Sequence, residues 1–259
     1  MKNETFTVDA LVLAGGDGSV IDPDSSVKSM VPIAGKPMVQ WVLEALKKAK
    51  HIDRIAVVLP HDVDDSAFEH IPDFIVLSDG QISENIIEGR NALQSEGLIL
   101  SVTSDVPSIT PEAIDAFIEA TVQRGVALSY PLIPEESMVE EYPDSERTFF
   151  RLVEGRVTGG NAMILDSKYF DELRDLGQQV FETRKNPLKM AGLIGARFAL
   201  KLATGKLSTK DIEEKIYELI GFECAAIILP YASIGADVDK PSDIAAVENK
   251  IEQRQRGSN

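Results

Sequence analysis

The sequence predicts an α/β domain built on a mostly parallel sheet, and three observations carry that reading. Through the first half, short apolar runs alternate with segments of helical period, the pattern of successive βαβ units. The first run, Ala10 to Leu13, breaks into three glycines within four residues, Gly15, Gly16 and Gly18, as a strand does when it turns sharply into a loop. Further on, TFFRLV and RVTGG flank Glu154 and Gly155 as a hairpin, which adds a small antiparallel β excursion to the sheet.

Taken in order, Pro37 to Ala49 places Met38, Val42, Ala45, Leu46 and Ala49 on one helical face, with Pro37 suited to the first turn. Ile55 to Leu59 reads as a parallel strand buried on both faces, and Phe74 to Leu77 as a shorter one. From Ser78 a loop leads into a helix that Ser83 or Asn85 is placed to cap. Leu98 to Thr103 is the next strand and runs directly into Ser104, Asp105, Val106 and Pro107. Pro111 to Arg124 has the helix period, and Val126 to Leu132 follows as a strand. The acidic, proline-bearing segment from Ile133 to Arg147 reads as a mobile surface excursion. After the hairpin, Gly159, Gly160 and Asn161 precede a strand from Ala162 to Leu165. Ser208 to Ile220 is an amphipathic helix capped by Ser208 or Thr209, Ala225 to Leu229 is a late strand, and a final helix begins near Pro241. The expected organisation is one domain over residues 1–252, with a basic helical insertion at about 178–220 and a disordered tail at 253–259.

Composition narrows the function. The chain has 259 residues, 44% of them apolar, enough for one continuous core. A net charge of −16 argues against nucleic acid as partner. No run approaches the roughly 18 apolar residues of a membrane span, and MKNETFTVD lacks the pattern of a signal peptide, so a cytoplasmic location is expected. The lone Cys224 permits no internal disulfide and no cysteine-based metal cluster.

The glycine loop is the chemical focus. Glycines after a strand let backbone N–H groups point at an anion, so Leu13 to Gly18 reads as a phosphate cradle, with Lys28 and Lys36 supplied before the first helix. It is not a P-loop, because no lysine follows Gly18, and not a dinucleotide fingerprint, because Ile21 stands where the third glycine belongs. A carboxylate at the carboxyl end of a strand projects toward the ligand crevice of an open α/β sheet, which makes Asp105 a candidate Mg2+ ligand.

LAGGDG, then Lys28, then Gly35, Lys36 and Pro37 together resemble the signature of the nucleotidyltransferase superfamily with a glycosyltransferase-A-like fold, in its MobA-like branch. That resemblance implies a three-layer α/β/α, Rossmann-like domain that joins a nucleoside triphosphate to a small phosphorylated acceptor, with Mg2+ and with release of pyrophosphate. It also implies site residues. Leu13, Ala14, Gly15, Gly16, Asp17, Gly18, Lys28, Asn85 and Ser104 would hold the nucleotide, with Gly89 one turn beyond Asn85 near the base. Lys28, Asp105 and Asp239 would be catalytic, Asp105 and Asp239 as the metal ligands, and Asp239 lies in the D-x-D-x-P-x-D run that Asp237 opens. Asn161 would line the acceptor side of the cleft. One position departs: Val20 stands where the resembled family usually has arginine, and Asp17, Asp22 and Asp24 add negative charge to the same loop. A catalytically degenerate nucleotide-binding or regulatory protein of the same fold is therefore a second reading. A glycosyltransferase reading of Asp237 and Asp239 as its metal motif is disfavoured by their place near the C-terminus.

Arg184 to Lys210 holds seven basic residues and no Asp or Glu. It reads as an acceptor-phosphate site with Lys185 and Lys189 in contact, as a helix on an anionic membrane surface, or as a solvated face balancing acidic neighbours. A homodimer interface could use the same helix.

Overall fold

The computed structural model describes residues 6–174 and 195–257. Strand β1 (Val8–Leu13) enters the glycine loop, which ends in the two-residue strands β2 (Pro32–Ile33) and β3 (Lys36–Pro37) and helix α1 (Met38–Lys48). There follow β4 (Ile52–Leu59), β5 (Phe74–Leu77), α2 (Ile82–Leu93), β6 (Leu98–Thr103), α3 (Pro111–Arg124), β7 (Leu128–Pro134) and α4 (Glu135–Glu141). Next come β8 (Phe150–Leu152), β9 (Gly155–Gly159) and β10 (Ala162–Asp166), and then α5 (Ala196–Ala203), α6 (Thr209–Ile220), β11 (Cys224–Ile228) and α7 (Pro241–Gly257).

Among the described residues nine strands form one mixed sheet in the order β5-β4-β1-β6-β10-β7-β9-β8, with β11 beside β7. The pairs β5–β4, β4–β1, β1–β6 and β7–β11 are parallel. Strand β10 runs antiparallel to both β6 and β7, and β9 runs antiparallel to β7 and β8, which is the small antiparallel part the hairpin predicts.

Three layers follow from what β1 buries. Ala10 and Val12 face a core shared with Val39, Leu43 and Leu46 of α1, Ile114 and Phe117 of α3, and Val247 and Ile251 of α7. Leu11 faces the other core, with Leu93 of α2, Leu165, Phe170 and Phe222. A strand covered on both sides favours apolar residues at successive positions, which is why Ala10 to Leu13 reads as a continuous run, while Asp9 near its start is paired with Arg54. Helix α2 lies very close to the sheet: a Cβ on Gly89 would sit 2.2 Å from Leu11 Cδ1. Gly89 is thus a packing glycine, buried against β1.

Three expectations need correction. Residues 133–147 are not a loose excursion: they complete β7 and form α4, and Met138 and Tyr142 are buried, because a few apolar residues among the acids face the core. The cap of α2 is Gln81 in a capping box with Glu84, rather than Ser83 or Asn85. Helix α6 lies where the sequence predicts it, capped by Ser208, and its Glu213 accepts from the backbone of β11 at Ala226 (3.0 Å). Finally, residues 253–257 are not a tail but the end of α7, where Arg254 bonds the carbonyl of Ser108 and Arg256 pairs with Glu252 at 2.9 Å.

Candidate nucleotide and metal site

The loop after β1 is folded back on itself. Ala14 N–H donates to Val58 O (3.0 Å), and Ser29 Oγ donates to Ala14 O (2.8 Å), fixing the loop's two ends at the carboxyl edge of the sheet. Gly16 turns the chain at φ +98°, Lys28 N–H donates to Gly16 O (2.9 Å), and Gly18 N–H donates to Ser26 O (3.2 Å). That pairing brings Lys28 beside Gly16 although twelve residues separate them in sequence order. Gly18 is required by close approach, since a Cβ there would lie 2.7 Å from Ser25 O. Asp17 lies in an exposed turn, where its carboxylate accepts from Ser19 N (2.9 Å) and Ser19 Oγ (2.7 Å), bonds that hold it below the usual carboxylate range. Val20 is 67% exposed. Lys36 is engaged elsewhere, with Glu44 (2.7 Å) and over the Trp41 ring.

The carboxyl end of β6 delivers Thr103, Ser104 and Asp105 next to this loop, with Ser104 N–H on Leu13 O at 3.0 Å. Lys28 Nζ bridges two carboxylates, 2.6 Å from Asp105 Oδ2 and 2.6 Å from Asp239 Oδ1. Thr103 Oγ1 and, at 3.4 Å, Asn161 Nδ2 donate to the other oxygen of Asp105. The C-terminal segment is pinned here by Val238 N–H to Asp105 O (2.9 Å), and Asp243 Oδ2 accepts from the N–H groups of Asp239 and Lys240 at the start of α7. Asp237 turns to Arg147, whose guanidinium pairs with its carboxylate and also donates to its carbonyl at 3.0 Å.

Electrostatics follow the geometry. Burial alone would lower the Lys28 pKa, but Asp105 and Asp239 outweigh it and raise it. Burial likewise works against the charge of Asp239, yet its bond from Lys28 brings its pKa down. Asp237 goes the other way: burial pushes it up to about 6, with Asp105 and Asp239 acting in the same sense and Arg147 opposing.

Asp105, Asp237 and Asp239 each present an oxygen within 4.8 Å of the others. An all-carboxylate donor set suits a hard divalent cation, and the Lys28 ammonium already seated between two of them shows that the spot accepts positive charge. These residues fit Mg2+.

A cleft of about 730 Å3 opens beside this centre. It is lined by Leu13 to Gly16, Lys28, Thr103 to Asp105, Gly80 and Gln81 before α2, and Ile82 and Asn85 of α2. Asn85 Oδ1 is buried with no hydrogen-bond partner among the described residues. A second cavity of about 850 Å3, between α1, α3 and the end of α7, includes Trp41, Thr110 and Arg254 and none of the predicted site residues.

The structure therefore gathers Leu13, Ala14, Gly15, Gly16, Lys28, Asn85, Ser104 and Asp105 on one cleft, with Asp239 and Asn161 bonded to its charged centre. Asp17 and Gly18 shape the loop from outside the cleft lining. Lys185 and Lys189 lie outside the described residues. Of the basic segment that is described, Lys201 pairs with Asp211. Sequence reasoning missed Arg147 and Thr103. A Thr-x-Asp at a strand end, with both side chains on one face, was a usable signal for Thr103; nothing local marks Arg147.

Comparison with known proteins agrees with the geometry. The profile described as MobA-like NTP transferase domain matches residues 10–188. The chain is 32% identical over 127 residues to the bifunctional protein GlmU of Geobacter metallireducens, 46% of this chain and 26% of that protein. It is 29% identical over 132 residues to the 2-C-methyl-D-erythritol 4-phosphate cytidylyltransferase of Nocardia farcinica, 49% of this chain and 56% of that one. The chain thus spans about a quarter to about half the length of these two curated relatives. A solved structure of a hypothetical transferase from Thermus thermophilus superposes with a TM-score of 0.80 at 32% identity, covering 92% of this chain and 100% of that chain.

Proposed function

Because the chain belongs to the MobA-like NTP transferase domain family, a family of nucleotidyltransferases, we propose that it transfers an NMP group from a nucleoside triphosphate to a small phosphorylated acceptor. The observation that supports this most is the meeting of Lys28, Asp105 and Asp239 beside the glycine loop. Lys28 is 77 residues from Asp105 and 211 from Asp239 in sequence, so the fold has brought them together.

An acceptor phosphate oxygen attacks the α-phosphorus, the bond from the α-phosphorus to the bridging oxygen breaks, and pyrophosphate leaves with that oxygen's electron pair. Little covalent work is asked of the protein; position and charge do most of it. Gly15 and Gly16 bring main chain close to the phosphates, Lys28 donates to their oxygens as charge builds on the leaving group, and Asn85 faces the base. Asp105 and Asp239, with Asp237 adjacent, would hold Mg2+. When bound, that ion neutralises phosphate charge. Thr103 and Asn161 orient Asp105, and Arg147 anchors Asp237.

A second reading, a nucleotide-binding protein without turnover, is favoured by Val20, which offers the phosphates neither charge nor donor and points to solvent. Pyrophosphate release decides between them. With Mg2+, each of the four NTPs is tested against sugar phosphates, phospho-alcohols and molybdopterin. Release with one pair that disappears in Asp105→Asn supports transfer; saturable NTP binding with no release for any acceptor supports the second reading.

A further inference from the structure

Lys28 occupies the place of a cation. Its Nζ stands 2.6 Å from Asp105 Oδ2 and 2.6 Å from Asp239 Oδ1, and only 16% of its side chain is exposed. A divalent ion ligated by those same oxygens at about 2.1 Å would have to stand where the ammonium stands. The two cations exclude one another. Asp239, 68% exposed, is the solvent side of the pair, while Asp105 is 15% exposed and held on its far oxygen by Thr103 and Asn161. Asp105 is thus fixed in position, and the lysine, on four rotatable carbons, is able to move away from it.

We propose that Lys28 is an exchangeable internal counter-ion: it closes the carboxylate site while the cleft holds no nucleotide and passes to the nucleotide's phosphates when a divalent cation takes its place. This rests on the nucleotide-binding reading above and adds a coupling to it. Without phosphate, a cation entering between Asp105 and Asp239 must displace an ammonium that then has no anionic partner beside Gly16. With phosphate present, the lysine exchanges one set of anionic oxygens for another. Cation and nucleotide therefore strengthen each other's binding, by the same factor in both directions.

The test is Mn2+ binding to the nucleotide-free protein, followed by calorimetry or by the EPR signal of free Mn2+. Lys28→Met is expected to bind Mn2+ about tenfold or more tightly than the native chain, the middle of the range for such couplings. Lys28→Met with Asp105→Asn is expected to lose that gain. Removing the ammonium leaves Asp105 and Asp239 facing each other unneutralised, so the thermal midpoint of Lys28→Met should fall without divalent ion and recover with Mn2+. Lys28→Gln, which keeps a polar head, serves where Lys28→Met does not fold. Mn2+ affinity unchanged or weakened in the folded variant would overturn the proposal. Pyrophosphate release by the native chain tests the underlying reading separately. Tightened Mn2+ binding without any release would keep the counter-ion and discard the transfer, while release without tightening would do the reverse.

Discussion

The carboxylate centre beside the cleft and the α2 side of the cleft are built on opposite terms. On the acidic side each of three carboxylates already has a cation or donor: Asp105 and Asp239 share Lys28, and Asp237 holds Arg147. On the α2 side, Asn85 Oδ1 is buried with no partner among the described residues. Buried charge cannot be left waiting, because an uncompensated ion costs several kcal/mol, whereas a single unmet amide acceptor costs about 1–3 kcal/mol. The acidic side is therefore neutralised by internal cations, which the proposed nucleotide and metal would displace, while the α2 side leaves one buried amide oxygen unmet.

That contrast is broken most severely at Arg147. Arg147→Met leaves Asp237 buried beside Asp105 and Asp239, and should cost about 3–5 kcal/mol of stability, read from urea unfolding. A loss within experimental error would mean that Asp237 is not held as described. Asp105→Asn comes next: it keeps the shape but removes a charge from the centre, and turnover should fall about 10²- to 10³-fold, by comparison with the loss of one preorganised transition-state group. Its nucleotide-free fold should persist, as circular dichroism would check.

The α2 side gives smaller effects. Gly89→Ala drives a methyl into Leu11 and should cost about 1–3 kcal/mol by overpacking, with α2 displaced in a crystal structure of the variant. Asn85→Ala removes the open acceptor, and nucleotide affinity should drop by about 1 kcal/mol, unequally among the four bases, in a direct binding assay. Equal losses for all four would show that Asn85 does not face the base.

Much of the fold is legible in the sequence, and the reasons are local. Strands β5 and β6 and helix α3 fall where their residues predict them, at Phe74–Leu77, Leu98–Thr103 and Pro111–Arg124, because each is an uninterrupted apolar or helix-period run with clear ends. Residues 133–147 were misleading since acids and prolines dominate there, while the buried Met138 and Tyr142 carry the packing. In the site, Asp105 is marked by its place at a strand end and Lys28 by its distance from the glycines. What could not be read is pairing across long separations: Arg147 reaches Asp237 over 90 residues, and no pattern near Arg147 announces it. The capping role offered to Asn85 was a fair local reading, but Gln81 and Glu84 form the cap, and Asn85 is among the residues that line the cleft.

The most direct measurement is the anomalous diffraction of Mn2+ in crystals soaked with the nucleotide that the protein prefers. The account predicts a peak ligated by Asp105 and Asp239, phosphates lying against Gly15 and Gly16, and Lys28 Nζ moved from the carboxylates to a phosphate oxygen. A nucleotide bound elsewhere, with no peak at Asp105 and Lys28 still bridging the two aspartates, would contradict it.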